Sequence, residues 1–281
     1  MTVGSRGVQP VSYPVEIGSL AWQSVTRLVR SPSHSRRAEA RRALARRWLV
    51  LSAATALAVT ILMFAIDVAA IKIMPPRGTE SLWPLRIFTD LAKSTYVLWA
   101  LAALLAVLLL TLPRLRGHAK AVLIAFSIRI QYVFLSVLLA VLVGEILKYI
   151  VGRARPFVGG EANAFYFKHF AESPAFESLP SGHATTAFAL AFAIASVWQK
   201  AWGVMLTFAV LICVSRVVLL AHHPSDVVAG ALTGLVGAMF VRYWFAARRL
   251  GFSIGRDGSI APLAGPSWPS LKRVARDAFA P

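Results

Sequence analysis

Lys148 with Arg155-Pro156, the string Pro180-Ser181-Gly182-His183, and Ser215-Arg216 with His222 and Asp226 bring three cations, two histidines and one carboxylate to the ends of apolar segments. Fixed cations grip phosphate oxygens, an imidazole serves as nucleophile or acid, and a carboxylate orients it. That is the inventory for breaking a phosphate ester. Lys148 and Arg155 are seven residues apart, close to two helical turns, so a helical path aims both to one side. Pro156 disfavours helix at Arg155, and the helix is expected to loosen near Gly152 so that Arg155 comes from the emerging loop. Arg155 then binds through its planar fork and Lys148 as a point charge. Arg153 lies on neither the motif nor the expected face and is read as a basic residue reaching for lipid head groups.

The second string directly precedes an apolar run, so it marks a helix amino terminus, where free amides and the positive helix end meet an anion. Ser181 fits an N-cap and can donate to phosphate, Gly182 lets backbone approach closely, and His183 is a candidate acid for the leaving oxygen. Arg216 stands inside an apolar span, where an unpaired charge is costly and usually functional. Asp226, four residues after His222, can reach an imidazole nitrogen and fix its tautomer. Helical spacing from Arg216 favours His223 over His222, and geometry alone leaves the two open. Glu145, Asp67 and Asp90, scattered near span ends, are each expected to pair locally with a basic residue.

The elements that position these residues follow from composition. With 57% apolar residues and a mean hydropathy of +0.65, the chain reads as an all-α polytopic membrane protein, since backbone in lipid must satisfy its own hydrogen bonds. Six spans are expected at 48–71, 94–112, 130–150, 183–199, 203–222 and 226–245. They form a six-helix domain over 48–245, between a basic amino-terminal segment, 1–47, and a tail, 246–281. No cleavable signal peptide is expected, because the first apolar run is too long for a signal core.

Arg36, Arg37, Arg41, Arg42, Arg46 and Arg47 precede the first span and assign the amino terminus to the cytoplasm. The same rule fits Arg114, Arg116 and Lys120, then Lys200, then Arg248 and Arg249. All three motif positions then fall together on the opposite side. The net charge of +18 is explained by these flanking clusters rather than by a nucleic-acid partner. Cys213, the single cysteine, falls in a span and allows neither an internal disulfide nor a cysteine-rich metal site. Residues 17–30 suit an amphipathic surface helix or a loose basic arm, and residues 80–92 an outer interfacial helix or a docked loop. The aromatic link 151–180 suits a cap or wall for a lipid substrate, and the tail from Gly251 a loose extension.

Lys-x6-Arg-Pro, Pro-Ser-Gly-His and Ser-Arg-x5-His-x3-Asp together resemble the type 2 phosphatidic acid phosphatase superfamily, and all eleven specified positions match in order. The motifs cover 148–226, and the span layout extends the likeness over about 48–245. The resemblance implies that His222 is the nucleophile, forming a phosphohistidine, with Asp226 as its orienting partner. It implies that His183 protonates the leaving oxygen and then activates water. Lys148, Arg155 and Arg216 match the phosphate clamp, with Ser181 and Gly182 completing it; His223 falls at a variable position.

No metal or cofactor is expected, and the implied partners are the bilayer and a phosphorylated membrane lipid, with oligomeric state left open. The expected location is a bacterial inner membrane, both termini cytoplasmic and the site periplasmic. Undecaprenyl diphosphate is the leading substrate, ahead of lipid A phosphates, phosphatidylglycerol phosphate and phosphatidic acid. Phosphotransfer to another lipid and non-catalytic lipid-phosphate binding or transport are the rival functions. The soluble vanadium haloperoxidases that share the motifs are excluded by the spans.

Overall fold

A computed structural model describes residues 12–279. Ten α-helices occur among them: α1 Tyr13–Val29, α2 Arg37–Ala65, α3 Asp67–Lys72, α4 Trp83–Asp90, α5 Ser94–Thr111, α6 Gly117–Val151, α7 Gly182–Val197, α8 Trp202–Val218, α9 Pro224–Ala247 and α10 Trp268–Phe279. A short antiparallel hairpin, β1 Phe252–Ile254 with β2 Ile260–Pro262, precedes α10.

Among the described residues, five helical stretches are long and apolar enough to cross a membrane, and the chain is a multi-pass membrane protein. They contain α2, α5, α6, α8 and α9. The expected fourth span is α7, whose 16 residues rise only about 24 Å, short of a full hydrocarbon core. It is short because Trp198, Gln199 and Lys200 turn the chain at once into α8. Both α2 and α6 begin well before the expected spans, at Arg37 and Gly117, as Ala, Arg and Lys extend a helix readily.

Helix α9 is the axis of the bundle, packing on α7, α6 and α2, while α7 also packs on α8 and α6. The close approach of α9 to α7 depends on small residues, as is usual where no hydrophobic drive separates helix from lipid. A Cβ on Gly234 would stand 2.3 Å from Thr185 O, and one on Gly230 would stand 2.5 Å from Ser181 O. Ala184 and Ala189 of α7, both fully buried, are among the atoms these two glycines face.

The amphipathic segment forms α1, tied to the bundle by Lys120–Glu16 (2.7 Å) and by Gln131 donating to Ser24 (2.8 Å). Residues 83–90 form α4, as one of the two sequence alternatives has it. The tail differs from the loose extension expected. Phe252 and Ile254 are buried against Tyr132, Arg129 donates to Leu263 O (2.9 Å), and α10 lies along α6. Alternation of Phe252 and Ile254 around a polar Ser253 gives the hairpin one apolar face, and Phe252 on that face packs on Tyr132 of α6.

Candidate active site

All three sequence motifs lie at one end of the bundle: the close of α6, the starts of α7 and α9, and the close of α8. Helix α6 stops at Gly152, which adopts a left-handed φ of 58°. Only glycine fits there, because a Cβ would meet Lys168 O at 1.8 Å. The chain emerging from it carries Arg155 in a loop, as Pro156 requires, with the Arg155 amide donating to Ala175 O (2.8 Å).

At the start of α9, His223-Pro224-Ser225-Asp226 makes a capping box. Pro224 stands at the first turn, where no donor is needed. Asp226 accepts the backbone N–H of His223 (2.8 Å). Fully buried, its carboxylate also accepts from Ser178 Oγ (2.6 Å) and from Arg153 Nη1 (2.7 Å).

His222 is held by a different group from the one expected. Its Nδ1 is 3.8 Å from Asp226 Oδ2, outside hydrogen-bond range, while Ser178 O lies at 2.8 Å. The nearer imidazole to Asp226 is His223, at 3.2 Å. The capping box causes this, since it fixes the carboxylate on the residue that directly precedes the helix. A carbonyl only accepts, so Nδ1 of His222 carries the proton and Nε2 keeps its lone pair. Burial holds this imidazole well below its ordinary pKa of 6.5; the charges of Arg216 and Arg155 push the same way, against the opposing pull of Asp226.

Around His222 stand polar atoms that have no protein partner: Arg155 Nε, Ser181 Oγ, His183 Nε2 and Arg216 Nε, all buried. The Ser181 amide donates to Asp226 O (2.9 Å), and the His222 amide to Arg216 O (3.3 Å), so backbone bonds lock the motifs to one another. Ser181 is at the N-cap position of α7, yet its hydroxyl caps nothing. Arg216 has only a long contact to Thr89 Oγ1 (3.4 Å). Lys148 Nζ lies 3.0 Å from where a Gly182 Cβ would stand, which puts it against the first turn of α7. It is paired with Glu145 at 2.6 Å, a local partner of the kind expected. Buried polar atoms are nearly always satisfied in a folded chain; of the nine unpartnered side-chain atoms among the described residues, these four belong to the sequence motifs.

Sequence reasoning missed Arg153. It is not directed at head groups: it is fully buried and pairs with both Asp67 (2.7 Å) and Asp226 (2.7 Å). Asp67, at the end of the first apolar run, in turn accepts the Ser225 amide (3.0 Å). The local pairing expected of Asp67 does not occur, since its cation is 86 residues away; a buried acid in an apolar run demands a cation, and that demand was the available signal. Ser178 and Arg77 carried none. Arg77 donates to Pro156 O (2.8 Å) and Leu220 O (2.7 Å), pinning together the loops that bear Arg155 and His222.

Below the site, a groove of ≈ 450 Å³ runs between α2, α6 and α9, lined among others by Val143, Leu147, Leu232, Val236 and Phe240. Leu147 adjoins Lys148. Among the described residues, no three His, Cys, Asp or Glu side chains are grouped to hold a metal ion.

The sequence profile of the PAP2 superfamily matches residues 129–250. A lipid A 1-phosphatase of Rhizobium johnstonii is 35% identical over 147 residues, covering 52% of this chain and 57% of that protein. One of Rhizobium etli is 34% identical over 146 residues, covering 52% and 59%. The putative undecaprenyl-diphosphatase YbjG of Escherichia coli is 37% identical over 87 residues, covering 30% and 41%. The chain thus spans a little over half the length of the two lipid A 1-phosphatases. No solved structure matches.

Proposed function

We propose that this chain, whose residues 129–250 belong to the PAP2 superfamily, hydrolyses the phosphate ester or anhydride of a membrane lipid through a phosphohistidine on His222. The observation that carries the reading is the set of unpartnered polar atoms, each able to donate, on Arg155, Ser181, His183 and Arg216 near that imidazole. Phosphate oxygens would take these donors and Lys148, which exchanges its bond to Glu145 for one to substrate, while the first-turn amide of Gly182 faces the same anion.

Nε2 of His222 attacks phosphorus, the N–P bond forms, and the P–O bond to the lipid breaks as His183 delivers a proton to the leaving oxygen. The Nδ1 proton stays on the imidazole, held by Ser178 O. His183, now neutral, takes a proton from water, whose oxygen attacks phosphorus and releases inorganic phosphate. Charge gathering on the equatorial oxygens meets cations that are already in place, so little reorganisation is needed.

The apolar groove between α2, α6 and α9, lined by Leu147 one residue before Lys148, supports a lipid rather than a soluble phosphate, since it offers an apolar chain a place along the bundle. A prenyl diphosphate is the leading substrate. Lipid A 1-phosphate is the second reading, favoured by the overlaps with two lipid A 1-phosphatases. The arginine bias favours an inner-membrane location with both termini in the cytoplasm and the site in the periplasm. Phosphate release by the detergent-purified protein from a panel of prenyl diphosphates, lipid A phosphates and glycerophospholipid phosphates tests this, ranked by kcat/KM. Release from none of them, with lipid phosphate still bound, would favour the binding or transport alternative, and label passing to a second lipid would favour phosphotransfer.

A further inference from the structure

Arg153 sits between two carboxylates and cannot belong fully to either. Its Nη2 is 2.7 Å from Asp67 Oδ2, its Nη1 is 2.7 Å from Asp226 Oδ1, and all three side chains are sealed from solvent. The remaining donors are also used: Nε and Nη2 meet Ala164 O (3.0 and 2.8 Å), and Nη1 meets Ser225 Oγ (2.6 Å). Asp67 is tied independently to the start of α9 by the Ser225 amide and hydroxyl. One cation with two anions leaves the trio with a single net negative charge. The oxygen of Asp226 that faces away from Arg153 is the one near the imidazoles, taking Ser178 Oγ, the His223 amide and His223 Nδ1.

We infer that Asp67 and Arg153 are positioning residues for the nucleophile, with Asp67 acting as a counterweight that stops Arg153 from cancelling the charge of Asp226. The inference rests on the phosphohistidine reading above. When Nε2 of His222 bonds to phosphorus, the imidazole becomes a cation, and a buried net negative charge 3.8 Å from its Nδ1 stabilises it. Arg153 alone beside Asp226 would leave a neutral pair and remove that stabilisation. Arg153 also fixes the carboxylate that holds Ser178, and the Ser178 carbonyl aims His222. The start of α3 thereby becomes part of the site, although it contributes nothing to the phosphate seat.

The test is a charge-balance cycle on the full-length protein in detergent, scored by kcat, KM and the rate at which radiolabelled phosphate appears on the protein. Asp67→Asn is expected to lower kcat roughly 100-fold, well short of the ~10⁴-fold cost of losing an orienting carboxylate outright, with KM nearly unchanged. Asp67→Asn combined with Arg153→Gln restores one net negative charge and is expected to return kcat to within about 10-fold of the parent. A structural role predicts the reverse, a double variant worse than the single one. The double variant decides even where the single one fails to fold. Recovery of a folded, active protein supports the counterweight, and a double variant that is inactive or unfolded overturns it. Absence of labelled protein in the parent would instead count against the phosphohistidine itself.

Discussion

Replacing Gly234 by alanine tests whether the α7–α9 contact positions the chemistry. Gly234 lies almost three turns from the start of α9, yet its added Cβ would stand 2.3 Å from Thr185 O and 2.8 Å from Ala189 N. Both are backbone atoms of α7, so no side chain can rotate away. Ordinary contact requires a displacement of about 1 Å, and overpacking of this kind costs about 1–3 kcal/mol. Because α7 begins at Gly182, the displacement carries Ser181 and His183 with it; with the roles proposed for them, a shift of ~1 Å is expected to cost about 100-fold in kcat. Gly144→Ala is the matched comparison: its Cβ would meet Thr185 Cγ2 at 3.6 Å, an ordinary contact. There the gain in helix propensity, ~0.5–1 kcal/mol, is expected to leave stability equal or higher and kcat unchanged. Thermal unfolding and phosphate release on the two purified variants supply both readouts. Gly234→Ala with parental kcat and melting temperature would refute the reasoning, as would equal damage from Gly144→Ala.

Two further outcomes follow from the site. In the proposed reaction His222 attacks only when neutral, and burial keeps its pKa well below 6.5; lowering the pH from 7 to 6 is therefore expected to leave it competent, whereas an imidazole at 6.5 would lose roughly threefold of its neutral form over that interval. Titrating the labelled His222 resonance, assigned by its loss in His222→Ala, checks this, and a midpoint at 6.5 or above contradicts it. Arg155→Lys keeps the charge and loses the buried Nε donor, so one charge-assisted bond of about 1.5–3 kcal/mol is expected to vanish, or roughly 10- to 150-fold in kcat/KM. A loss under threefold would show that the fork is not used.

The parts of this site legible in the sequence are those whose chemistry is paired with a local backbone signal. Gly152 and Pro156 announce where α6 ends, and the apolar run after Gly182 announces a helix start, so Lys148, Arg155 and His183 could be placed before any fold was known. Arg216 announces itself by being charged within an apolar run. The network behind His222 was not legible. Arg153 meets Asp67 across 86 residues and Asp226 across 73, and nothing in spacing or periodicity joins residues so far apart. Reading Arg153 as an interfacial cation failed because the emerging loop folds back, with Ser178 N–H bonding Arg153 O and Lys168 N–H bonding Gly152 O, which buries the side chain. Asp226 was expected to hold His222 because i to i+4 spacing permits it on a helix. Pro224 starts the helix after His222, so that spacing does not apply. The tail was misjudged on its Gly and Pro content, although Phe252 and Ile254 already alternated in the manner of a strand.

The most direct test of the account is to ask where phosphate becomes attached. Brief reaction with a labelled lipid phosphate, acid-free quenching and peptide mapping should place a phosphorylated imidazole at His222 in the parent and in His223→Ala, with no covalent label in His222→Ala. Label retained in His222→Ala, or found on His223, would contradict the assignment of the nucleophile.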